Sequence, residues 1–207
     1  MIEDFLRVTL KLAPSQRRIQ MDLAQIAKET REWKEQLIPW EEENEIELFS
    51  LNQQTKWVKQ TWDKLLKGVF YSIYNEPMMV YGYKNYIRGG KNNLIYAATQ
   101  SHDFIYRRKK NKTDFFIDRE HVGFINDEGL MYGGKRKRLL GRRNEFAENH
   151  YSIVIWDREV AQLLKPQSVD RVNPRAFEVM EEMNDREQLL LMAISFLTII
   201  LEANKLD

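Results

Sequence analysis

The longest unbroken apolar run in the chain is 189–201, where only Ser195 and Thr198 interrupt leucine, isoleucine, methionine, alanine and phenylalanine. It follows a start suited to a helix. Asn184 or Asp185 can cap, and Glu187 or Gln188 can close a capping box three residues on. Ser195 and Thr198 can return their hydroxyls to carbonyls of the preceding turn. β-Branched residues are scarce before Ile199, and no turn former intervenes, so the pattern predicts a helix over about 185–202. A helix apolar on every side must be surrounded. At 13 residues the run is too short for a bilayer, which needs about 20. It is therefore expected to lie inside protein.

Upstream the texture differs. From Glu45 to about Val160 the chain offers short segments rich in aromatic and β-branched residues, at 46–49, 69–74, 78–83, 94–97, 103–106, 114–117, 122–125 and 151–156. Turn formers separate them: Asn75-Glu76-Pro77, the glycine and asparagine residues at 89–93, Asn126-Asp127-Glu128-Gly129 and Gly133-Gly134. Many short strands at this spacing indicate an antiparallel sandwich or barrel. An all-β domain encloses a helix on every side most simply when its sheet closes around it. The predicted fold is mainly β (α+β): a closed antiparallel β-barrel of short strands around a buried C-terminal helix, plus an N-terminal amphipathic helix. A possible repeat aligns 71–91 with 115–135, pairing Ile73 with Ile117, Glu76 with Glu120 and Gly89-Gly90-Lys91 with Gly133-Gly134-Lys135.

The N-terminal helix follows a short extended segment at 5–12 and Pro14. Ser15 can cap it and Pro39 stops it, giving about 15–37. Its apolar stripe is Ile19, Leu23, Ile26, Trp33 and Leu37, with Thr30 in register. That stripe either packs on its own domain or meets a partner protein or second copy in a homodimer. The division expected is 1–39 as a strand-and-helix appendage and 40–207 as the barrel.

Composition narrows the function classes. A chain of 207 residues with 43% hydrophobic and 12% aromatic residues can bury a sizeable core. Its formal net charge of +1 makes nucleic acid an unlikely partner for the molecule as a whole. Cysteine is absent, which removes disulfides, thiolate metal sites and thiol nucleophiles. Met1 to Phe5 lacks the basic start of a secretion signal. A cytoplasmic protein is expected, able to sit peripherally on a membrane.

The strongest chemical signal is local positive charge. Lys135, Arg136, Lys137 and Arg138 precede Arg142 and Arg143, while Arg107, Arg108, Lys109, Lys110 and Lys112 form a second cluster. Such density suits the oxyanions of phospholipid headgroups or another phosphate ligand. On adjacent hairpins the clusters would make one patch; otherwise they are solvated loops balanced by Asp114, Asp118 and Glu120. The two Gly-Gly-Lys turns lack the spacing and following helix of a phosphate loop. His102, His121 and His150 stand apart, without metal-ligand spacing. The acids next to them in sequence alternate to the opposite face of a strand. The 126–129 turn does not fit a calcium loop. The five tryptophans and nine tyrosines belong chiefly to cores and cross-strand pairs. No catalytic residue, metal ligand or cofactor is assigned.

A series of short strands ending in one apolar helix resembles the tubby C-terminal-like superfamily, which includes tubby domains, phospholipid scramblases and LURP-one-related proteins. The segment from Asp185 to Ile194 is similar to that family's central helix, and Phe116 to Ile125 is similar to its recurring strand pair. The resemblance spans about 40–206. It implies a helix threaded through a barrel and a preference for phospholipid. The 15–37 helix is additional to that pattern, the cysteines that carry scramblase lipid anchors are absent, and the family's phosphoinositide-contacting residues have no assignable positions here. Three readings stay open: a non-enzymatic binding or scaffold module for an anionic ligand, an interaction module using the 15–37 helix, and an enzyme with scattered Asp, Glu and His.

Overall fold

In the computed structural model, residues 14–39, 43–59, 64–86, 92–134, 137–166 and 173–206 are described. They form twelve strands, all antiparallel to their neighbours and ordered in space as in sequence. These are β1 Phe49–Lys59, β2 Lys64–Ser72, β3 Pro77–Asn85, β4 Asn92–Ala98, β5 Asp103–Lys109, β6 Lys112–Ile117, β7 Glu120–Asn126, β8 Leu130–Gly133, β9 Arg138–Ala147, β10 His150–Ile155, β11 Arg158–Leu164 and β12 Phe177–Val179. A bridge between Ser50 and Arg175 joins the two ends of the sheet. The Ala176 amide donates to Phe49 O at 2.8 Å, and the Leu51 amide donates to Pro174 O at 3.3 Å. The sheet is thereby a nearly closed barrel, with few edge groups left to pair elsewhere.

Helix α2, Asp185–Ala203, fills the interior. Every residue from Leu190 to Leu201 is buried, as its all-round apolarity requires. Alternate residues of the strands point at it: Tyr81, Ile95, Ala97, Phe104, Tyr106, Phe115, Ile153 and Ile155 share its core. Phe196 meets Phe104 edge-on at 5.2 Å and Phe49 at 5.8 Å. The Tyr106 hydroxyl donates to Ala193 O at 2.8 Å, and Thr198 returns its hydroxyl to Ile194 O at 2.9 Å. Ser195 is equally buried but has no hydrogen-bond partner for its hydroxyl.

Helix α1, Gln16–Lys34, starts at the Ser15 cap and lies on the outside of β2, β3 and β4. Ile26 and Leu37 are buried there with Leu65, Val69, Val80, Leu94 and Tyr96, and Ile19, Leu23 and Trp33 pack against them. Hence β3 and β4 are buried on both faces. Gly82 permits the close approach, because a Cβ there would stand 2.2 Å from Ile26 Cγ2. Lys84 on β3 reaches up to Asp22 at 2.7 Å, and both side chains are almost wholly buried. Of the two readings of the stripe, packing on its own domain is the one observed: Ile19, Leu23, Ile26, Trp33 and Leu37 cover the chain's own barrel. The helix is packed onto the barrel wall.

Two local features differ from the sequence reading. Residues 43–48 form a 3-10 helix and the first strand starts at Phe49. The stretches 71–91 and 115–135 do not share a topology. After its turn the first holds one strand, β3, whereas the second holds two, β7 and β8. The expected 5–12 segment and the first Gly-Gly-Lys turn, Gly89 to Lys91, lie outside the described residues.

Candidate functional site

A meander of this kind sends its turns alternately to the two ends of the barrel. Connections after odd-numbered strands lie where α2 finishes, here termed the exit end, and those after even-numbered strands lie where it begins, the entry end. The exposed turns of the two basic clusters are therefore separated. The β5–β6 turn carries Lys109, Lys110 and Lys112 at the exit end, all exposed. The β8–β9 connection carries Lys137 and Arg138, also exposed, at the entry end. Parity of strand number keeps the exposed lysines at 109–112 apart from Lys137 and Arg138. Lys135 and Arg136 lie outside the described residues.

Arg107, Arg108, Arg142 and Arg143 sit within strands, not loops. Arg107 and Arg108 are each 6% exposed and point to opposite faces of β5. Arg107 faces outward. It donates to Asn93 O and Arg108 O at 2.9 Å and to Asn92 Oδ1 at 2.6 Å, and it stacks over Tyr86 at 5.0 Å. Burial pushes its guanidinium below its ordinary pKa, and Nε has no partner. This arginine ties strands together, and its removal from the candidate binding set is a correction. Arg142 pairs across from Val154 on the outer face of β9, while Arg143 pairs across from Ile153 and turns inward.

The inward arginines meet at the exit end. A cavity of about 160 Å³ lies between the last turns of α2 and strands β5 to β9, lined by Arg108, Thr113, Asn126, Asp127, Arg143, Thr198 and Glu202 among others. Arg143 donates to Thr198 Oγ1 at 3.0 Å and lies 3.4 Å from Glu202. It also covers the Tyr151 ring at 4.5 Å. The Tyr151 hydroxyl donates to the same carboxylate at 2.7 Å; burial first, then this carboxylate, push the phenol up. Arg108 is held less closely. Its best acceptor is Leu206 O at 3.5 Å, and the Asp127 carboxylate stands 3.8 Å away. Burial also pushes the Tyr83 phenol up, with the Arg108 charge acting against it.

Chain folding also joins groups that sequence spacing keeps apart. His102 Nδ1 lies 2.8 Å from Asp118 Oδ2, and the Asp103 amide donates to Asp118 Oδ1 at 2.9 Å. Burial acts to raise the Asp118 carboxyl, but these two bonds and the Lys34 charge prevail and leave it below its ordinary value. The pair is exposed at the surface, and the Thr99 hydroxyl accepts from the His102 amide at 3.0 Å. His121 packs edge-on against Phe116 instead. Among the described residues no group of three or more His, Asp or Glu is placed to hold a metal ion, and no helix is long and apolar enough to cross a membrane. A second cavity, about 330 Å³ and open, lies over β11 and β12; its Arg175 already stands 3.8 Å from Glu47. No family model matches the chain, and no curated protein or solved structure matches it either.

The role of Arg108 was hidden in the sequence because five neighbouring cations look alike there. Strand alternation is the signal that could have separated them: Phe104 and Tyr106 face the core, so Arg108 does too.

Proposed function

We propose that this protein is a non-enzymatic binding module of the tubby-like kind, whose exit end docks on an anionic surface such as phospholipid headgroups. The observation that carries the reading is the exposed Lys109, Lys110 and Lys112 hairpin at that end. Exposed Trp57 and Phe146, near the exit-end termini of β1 and β9, add side chains suited to the interfacial layer of a membrane. Near an anionic membrane each lysine contributes about 1 kcal/mol, screened by salt. The lipid preference comes from the family resemblance, which the helix-in-barrel architecture supports.

The test is sedimentation with phosphatidylcholine vesicles, with and without phosphatidylserine. Wild type is expected to sediment only with the anionic vesicles, and more weakly as salt rises. Lys109→Ser/Lys110→Ser/Lys112→Ser should lose this, whereas changing Lys135, Arg136, Lys137 and Arg138 together to Ser at the entry end should leave it intact. Equal sedimentation of the exit-end variant and wild type would sink the reading, as would loss in the entry-end variant alone.

A further inference from the structure

We infer that the exit-end cavity is a discrete site for a small oxyanion, a phosphate group gripped by the Arg108 guanidinium. It is separate from the exposed lysines of the rim and does not depend on their docking role.

Two neighbouring arginines, equally buried, set the argument. Good charge-assisted hydrogen bonds to a guanidinium run about 2.7–2.9 Å. Arg107 makes three contacts of 2.6 to 2.9 Å. Arg108 makes none of that quality; its nearest acceptors are at 3.5 and 3.8 Å, and it opens onto a space of about 160 Å³. A buried guanidinium stays charged and is costly to leave poorly paired. Its planar fork suits two oxygens of one oxyanion, and the cavity provides room for one.

Of the two arginines that line the cavity, Arg108 is held less closely than Arg143. Glu202 is held by Arg143 and by the Tyr151 hydroxyl. Asp127 sits at the rim on the β7–β8 turn, where its side chain is 31% exposed. It stands close enough to attract the guanidinium but too far to bond it, so an arriving phosphate displaces a weak competitor. Asp127 therefore sets affinity by opposing the ligand. A positive φ at Gly129 and the Leu130 amide bond to Asn126 Oδ1 at 2.8 Å fix the turn that carries it.

The experiment is isothermal titration of the full chain with inorganic phosphate. Wild type is expected to take up phosphate saturably at one site. Arg108→Gln should bind about tenfold or more weakly, since it removes charge-assisted bonds. Asp127→Asn should bind several-fold more tightly, and because that residue lies on an exposed turn the variant keeps the proposal testable if Arg108→Gln folds poorly. The rim variant Lys109→Ser/Lys110→Ser/Lys112→Ser should match wild type. Vesicle sedimentation of Arg108→Gln then identifies the source: a parallel loss assigns the phosphate to a lipid headgroup, and unchanged sedimentation assigns it to a free phosphate. No saturable uptake by wild type, or equal affinity in wild type, Arg108→Gln and Asp127→Asn, would overturn the site. Vesicle binding retained by the rim variant would overturn the docking role and leave this site standing.

Discussion

The two ends of α2 are finished very differently. At the entry end Asn184 caps the helix through Oδ1, accepting from the Arg186 and Glu187 amides at 3.1 Å. Glu187 answers by accepting from the Asn184 amide at 3.0 Å and from Arg158 at 2.6 Å, and Arg158 also binds Glu181 at 2.7 Å. Acids in the first turn complement the positive end of the helix dipole. At the exit end the last turn has no basic residue of its own. The barrel wall supplies Arg143 and, more distantly, Arg108, and between them a cavity remains. Both ends carry short bonds, at the exit end those of Tyr151 to Glu202 at 2.7 Å and Tyr81 to Asn204 at 3.0 Å. Only the exit end also keeps a cation with long contacts beside open space.

The largest effect should come from between the ends. Ile194→Asp places an unpaired charge where the wall is closed all round, a cost of about 4 kcal/mol or more. The variant is expected to be unfolded by circular dichroism; a folded, cooperative variant would show that α2 is not enclosed. Next, the two ends can be set against each other by denaturant unfolding. Glu187→Ala removes half of the capping box together with the buried carboxylate that Arg158 holds, and should destabilise by about 2 kcal/mol. Arg108→Ala should cost less than about 1 kcal/mol, because its present bonds are long. Equal losses would mean that the exit end is as tightly built as the entry end.

The smallest effect is a pH dependence. The Arg158 bond, then the Asn184 amide, outweigh burial and hold the Glu187 carboxyl below its ordinary range. A carboxyl depressed on folding stabilises the protein fully above its unfolded value, and that stability is lost as pH falls through the folded one. Stability measured between about pH 5 and pH 3 should therefore fall less steeply in Glu187→Gln than in wild type. Identical slopes would show that the entry-end network does not titrate with folding.

Much of the fold is written locally. The bounds of α2 and its cap can be read within one segment, and β2 to β7 and β10 coincide with runs of aromatic and β-branched residues. Of the strands that sequence reading passes over, β1 and β9 are polar or charged. β1 contains Asn52, Gln53, Gln54 and Lys56, and β9 contains Arg138, Arg142, Arg143 and Glu145. Their register depends on pairing with distant neighbours, so local propensity says little about them. Arg142 and Arg143 thus look like part of a basic loop until β8 and β10 flank them. Asp22 and Lys84 are equally silent, since each is an ordinary surface charge until α1 lies over β3.

The sequence by itself determined that the 189–201 run must be enclosed, because no water-facing side exists on such a helix. It also determined that short antiparallel strands would do the enclosing. The tertiary structure alone decided which cations are structural and which face a cavity. Residues 107 and 108 share a charge, a size and a degree of burial, but alternation sends them to opposite faces, and only the closed barrel defines what each face meets. It also decided that the exposed turns of the two basic clusters are apart while Arg108 and Arg143 meet at one cavity. The separation of the turns depends on the strands between them, β6, β7 and β8, and β8 pairs through contacts that no local pattern records.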